Sequence, residues 1–183
     1  MTILIKDGHI LNPATGMDEV ADLYIEDGKV KEIGKNCKKI ADETIEAKGC
    51  YVMPGFIDMH VHFRDPGLEQ KEDIYTGMQA AAHGGYTTVM AMPNTKPVVD
   101  NPDVVRYVQD KAASGRCINV LQIGAVTKGQ KGEELADIEG MVAAGSPAIS
   151  EDGKSVMDSG LYREAMKIAA KLDIPVFAHC EDI

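Results

Sequence analysis

The sequence predicts an α/β protein: a partial (β/α)8 TIM-type barrel, about five of eight strands, preceded by a small antiparallel β-domain. Three observations carry this expectation. Two β-prone stretches broken by Asp-Gly pairs fill the first fifty residues. From Tyr51 the rhythm changes to strand, loop, helix, and it repeats. Polar residues then gather at the C-terminal ends of the candidate strands, where a barrel keeps its functional groups. No Gly-x-Gly-x-x-Gly follows any strand, which counts against an open dinucleotide-binding sheet.

In chain order, Ile3–Leu11 holds Asp7-Gly8 and Leu23–Val30 holds Asp27-Gly28. Asp-Gly tolerates the positive φ of a two-residue turn, so each stretch predicts a hairpin, and together they give a domain over residues 1–50. The second domain spans 51–183, with candidate strands Val52–Phe63, Thr87–Pro93, Ile118–Val126, Ala148–Ser150 and Pro175–Cys180. Asn101-Pro102 predicts a capped helix with Val104, Val105, Val108 and Ala112 inward and Gly115 closing it. Leu161, Ala165, Ile168 and Leu172 form a second such stripe, and 69–83 and 133–144 are helical with weaker caps. A half-closed parallel sheet leaves an unpaired edge, so five strands predict the N-terminal part of a longer protein.

The net charge of −10, with no basic stripe, excludes nucleic acid and an anionic membrane as main partners. No stretch is apolar for long enough to suggest a signal peptide or a membrane span. Four scattered cysteines without a Cys-x-x-Cys pair read as reduced thiols, and a cytoplasmic protein is expected.

Strand alternation puts His60, His62 and Arg64 on one face of Gly55–Gly67. Two imidazoles two residues apart can share one metal ion, although a chance pair of histidines stays open. The Arg64 guanidinium matches a carboxylate in bidentate fashion, against the plainer reading of an ion pair with Asp65 or Glu69. His179, ending the fifth strand, is a third candidate ligand or a core histidine. Asp152 is a carboxylate that could bridge two cations, or simply the start of an Asp-Gly turn. Asn94 either caps its turn or donates to a ligand oxygen, while His83 and His9 read as structural.

Pro54-Gly55-Phe56-Ile57-Asp58-Met59-His60-Val61-His62 resembles the opening strand of the amidohydrolase superfamily. Phe63-Arg64-Asp65-Pro66-Gly67, Lys71-Glu72-Asp73 and Met92-Pro93-Asn94-Thr95 narrow the resemblance to the dihydroorotase family. The resemblance implies a two-zinc site, with His60 and His62 on one ion and His179 on the other. It implies that Asp152 bridges them, as in the bacterial class that uses aspartate. Many relatives place a carbamylated lysine there, and its lack argues against hydantoinase and allantoinase. Arg64 and Asn94 match residues that hold the substrate carboxylate. The implied reaction interconverts dihydroorotate and N-carbamoyl-L-aspartate in pyrimidine synthesis. The family's general acid/base and a further histidine ligand are expected beyond Ile183, so no catalytic residue is assigned here and the chain alone is expected to be inactive. Two alternatives stay open, a non-catalytic partner of aspartate transcarbamoylase and another cyclic-amide hydrolase; a homodimer and association with aspartate transcarbamoylase are the possible partnerships.

Overall fold

A computed structural model describes residues 1–181; the last two residues of the predicted 51–183 domain lie outside them. The chain divides into two compact units, Met1–Pro54 and Gly55–Ile183.

The first unit holds β1 (Thr2–Asn12), β2 (Met17–Glu26), β3 (Lys29–Gly34), β4 (Glu43–Glu46) and β5 (Tyr51–Val52). Their order is β3-β2-β1-β4, with β5 also on β1. Two expectations are corrected here. The sheet is mixed rather than antiparallel, because β4 and β5 both pair with β1 in parallel. Asp7-Gly8 is not a hairpin turn, since β1 runs straight through it against β2. Asp7 takes φ 54° and the register shifts between Ile5 and Gly8, which makes the pair a bulge. The freed Asp7 N–H donates to the buried Asp22 carboxylate at 2.9 Å. Gly8 is needed for close packing, because a Cβ there would sit 2.5 Å from Val52 Cγ2. Asp27-Gly28 does turn the chain, from β2 into β3, with φ 50° and 72°. Ile10, Ala21 and Leu23 form the buried centre of this unit.

The second unit is α/β. It contains β6 (Phe56–Val61), α1 (Ile74–His83), β7 (Tyr86–Ala91), α2 (Pro102–Gly115), β8 (Asn119–Gln122) and β9 (Gly124–Ala125). After a short 3-10 turn at Lys128–Gln130 come α3 (Ile138–Ala143), β10 (Ile149–Ser150), α4 (Ser159–Lys171) and β11 (Val176–Phe177). All strand pairings in it are parallel, in the orders β6-β7-β8 and β9-β10-β11. Ile123 is the joint between the two sheets: its N–H bonds Ala91 O at 3.0 Å, while the next N–H, of Gly124, bonds Ala148 O at 3.1 Å.

Asp73, Asn101 and Asp158 each accept two backbone N–H bonds at the starts of α1, α2 and α4, satisfying donors the helix cannot. Gly115 does not close α2; Arg116 does, with φ 48°. Val105, Val108 and Ala112 are buried as the helical period requires. They divide between two cores, one around Ile74, Met78 and Val89, the other around Ile138, Met141, Ile149 and Ala165.

Candidate metal centre

The predicted strand Val52–Phe63 is broken. The chain leaves β5 at Val52, re-enters at Phe56 and finishes β6 at Val61. His60 therefore belongs to the strand, whereas His62 and Arg64 lie past it. Arg64 takes φ 59°, so strand alternation does not place it beside the histidines. The opposite face is uneven too: Phe63 is buried against α1, Val61 half-buried and Met59 58% exposed.

Asp152 stands at the centre of what the fold brings together. It follows β10 at the head of a turn in which Gly153 takes φ 77°, as the Asp-Gly turn reading expects. Its side chain is only 5% exposed. Oδ1 lies 3.0 Å from His60 Nε2 and 3.4 Å from His179 Nδ1. Oδ2 lies 3.5 Å from His62 Nε2 and accepts from Asn94 Nδ2 at 2.7 Å. The other atom of that amide, Asn94 Oδ1, is 3.1 Å from His62 Nδ1. Five of the six residues singled out in the sequence thus meet, delivered by the ends of β6, β7, β10 and β11.

These donors fit a divalent cation. His60, His62 and Asp152 each offer one ligand atom within 4.8 Å of the other two. Two ligands about 2.0–2.1 Å from one tetrahedral zinc lie roughly 3.4 Å apart, close to the 3.5 Å between His62 and Asp152. Imidazole and carboxylate are donors that zinc accepts. His179 falls outside that group of three. Its Nε2 bonds Glu181 at 2.6 Å, and this carboxylate, with Asp152 on the other side, holds His179 above the ordinary imidazole value.

The loop that carries Arg64 is tied by its backbone to a neighbouring loop. Lys96 N–H donates to Pro66 O at 2.9 Å, tying the loop after β6 to the loop that carries Asn94. Gly67 permits the crossing, because a Cβ there would lie 1.7 Å from Lys96 O. Neither carboxylate considered as an Arg64 partner is used that way. Asp65 pairs with Lys111 Nζ at 2.6 Å, and Glu69 accepts from Gly67 N–H at 2.7 Å. Among the described residues no ion pair engages the guanidinium.

Sequence reasoning missed two supports. Glu151 is buried and accepts from Val126 N–H, Thr127 N–H and the Thr127 hydroxyl. Burial pushes its carboxyl up from the usual range. Gln130 Nε2 donates to Asp152 O at 3.0 Å, so the 127–130 turn holds the Glu151 side chain and the Asp152 backbone carbonyl. The signal available was the pair Glu151-Asp152 directly after a strand, where alternation sends the two carboxylates different ways.

Parallel strands with imidazoles and a carboxylate converging at their C-terminal ends define an α/β protein with a donor group that could hold a metal ion. Residues 49–183 match the family described as dihydro-orotase-like, and the chain belongs to it. It is 48% identical over its whole length to the dihydroorotases of Ruminiclostridium cellulolyticum and Solibacter usitatus, and 44% identical to that of Aquifex aeolicus. The chain spans about 43% of the length of each of these relatives. Among solved structures it resembles an L-hydantoinase from Arthrobacter aurescens, with TM-score 0.83 and 26% identity over 98% of this chain and 41% of that one. A D-hydantoinase from Thermus sp. gives TM-score 0.76 and 29% identity over 98% and 40%. No described helix is long and apolar enough to cross a membrane.

Proposed function

We propose that these residues form the metal-holding part of a zinc-dependent dihydroorotase, which interconverts dihydroorotate and N-carbamoyl-L-aspartate in the cytoplasm. In this reading the second unit contributes five strands of a (β/α)8 barrel, with β8 and β9 the two halves of one, and residues 1–50 form the core of its small β-domain. The exposed apolar residues Phe56, Ile57 and Met59 on β6, an outer strand of its sheet, support the barrel reading.

The observation that carries the functional reading is the Asp152 carboxylate, set within 3.0–3.5 Å of three imidazoles. Among the described residues no lysine pairs with it. His60 and His62 would hold one cation and His179 a second, with Asp152 offering a carboxylate oxygen to each. Zinc bound there would supply Lewis-acid chemistry for hydrolysis of a cyclic amide near neutral pH. Arg64 and Asn94 receive the substrate carboxylate, the first through its planar fork and the second through an amide N–H. The general acid/base comes from outside this chain. An intact donor set disfavours a non-catalytic partner of aspartate transcarbamoylase.

The test is zinc content and dihydroorotate hydrolysis in the complete reading frame that carries this chain. Folded protein with neither refutes the proposal, and preferential turnover of hydantoin or allantoin would move it to another cyclic-amide hydrolase.

A further inference from the structure

We infer that Asn94 fixes the tautomer of His62, and so decides which ring nitrogen that histidine offers to a cation. The inference rests on the metal-site reading above and adds a positioning role to Asn94. It follows from one fixed point, the Asp152 carboxylate, which can only accept hydrogen bonds. The Asn94 atom 2.7 Å from Asp152 Oδ2 must therefore be the amide nitrogen, since a carbonyl oxygen at that distance would be repelled. This settles the amide orientation and leaves Oδ1 against His62 Nδ1 at 3.1 Å. Oδ1 has no proton to give, so His62 Nδ1 carries it.

In the neutral ring Nε2 then bears the lone pair. It is Nε2 that faces Asp152 Oδ2, at 3.5 Å, longer than an ordinary N–H···O bond and suited to two ligands of one ion. A metal-binding imidazole commonly needs such an acceptor on its far nitrogen to stay oriented. The second N–H of the Asn94 amide stays available to a substrate oxygen, so the two roles are compatible. His60 lacks this device. Its side chain is 51% exposed, and among the described residues no hydrogen bond engages its Nδ1. The two histidines of the motif are therefore unequal: His62 has an acceptor on its far nitrogen, whereas His60 meets the site through Nε2, 3.0 Å from Asp152 Oδ1.

The experiment uses the metal-free chain with 15N-labelled histidine, read by long-range 1H–15N correlation at about pH 8.5, well above the ordinary imidazole value of ~6.5. Wild-type His62 is expected to show a protonated Nδ1 and a bare Nε2. Asn94→Ala should return His62 to a mixture and weaken zinc binding by about 10–100-fold. Asn94→Asp keeps an acceptor for Nδ1 and loses the donor to Asp152, so it should preserve the tautomer. A wild-type His62 protonated on Nε2 overturns the inference, and this reading needs no variant to fold. An unchanged tautomer and zinc affinity in Asn94→Ala would also overturn it. Failure of the wild-type chain to bind zinc would count against the metal site, whatever the tautomer.

Discussion

Asp65 and Asp152 look alike in the sequence, each an aspartate in a loop beyond a strand, and both are buried, at 1% and 4% exposure. Their surroundings differ. Asp65 holds Lys111 Nζ at 2.6 Å, accepts from Tyr107 OH at 3.2 Å and receives Ile74 N–H at 3.4 Å. The Asp65 contact raises Lys111 above the ordinary lysine value, so this partner stays cationic throughout the neutral range. Asp152 has a neutral amide and three imidazoles, which ligate metal well and carry positive charge only when protonated. A buried carboxylate needs a cation or hydrogen-bond donors nearby. The first loop builds that cation into helix α2, whereas the second is furnished with the ligands to accept one.

The largest expected effect falls on the built-in pair. Lys111→Met leaves Asp65 buried without a cation and should cost about 3–5 kcal/mol in urea denaturation. A loss under about 1 kcal/mol would mean that the tyrosine and backbone contacts suffice. The pair also has a predictable alkaline limit. A lysine value raised on folding gives stabilisation that is complete below about 10.4 and declines as pH rises through the folded value, so the variant should lack that alkaline decline.

Next comes the exchangeable cation. Asp152→Asn should weaken zinc binding at least ~100-fold by titration calorimetry, whereas Asp65→Asn should leave it unchanged; equal losses would erase the distinction between the loops. Zinc at about 100 times its dissociation constant should stabilise the wild type by about 2.7 kcal/mol, reversed by chelator and missing in Asp152→Asn. The smallest effect belongs to Lys171–Glu139, an exposed pair at 3.1 Å, where Lys171→Ala should cost less than about 1 kcal/mol. That control separates burial from mere charge pairing.

The sequence was most informative where chemistry and period agree. The meeting of His60, His62, Asn94, Asp152 and His179 was legible because all five follow or end candidate strands and because imidazoles are few. The α2 stripe was legible because Val105, Val108 and Ala112 repeat at the helical period. Asp7-Gly8 misled because a bulge and a two-residue turn ask for the same positive φ, and only the long pairing of β1 with β2 decides between them. Arg64 misled because alternation was extended past the end of β6, and a left-handed residue cancels it. Asp65 was read only as a neighbour of Arg64. Its partner, Lys111, is forty-six positions away on α2, a tertiary relation that no local pattern announces.

The joint at Ile123 has a consequence for cooperativity. Two successive amides are bonded to opposite neighbours, Ile123 to β7 and Gly124 to the residue just before β10. Opening one sheet must release the first amide, and opening the other must release the second. Hydrogen exchange at this single dipeptide therefore reports whether the two sheets come apart as one unit or as two. Matched protection would make the second unit one cooperative body, with His60 and Asp152 held to each other by the same opening event.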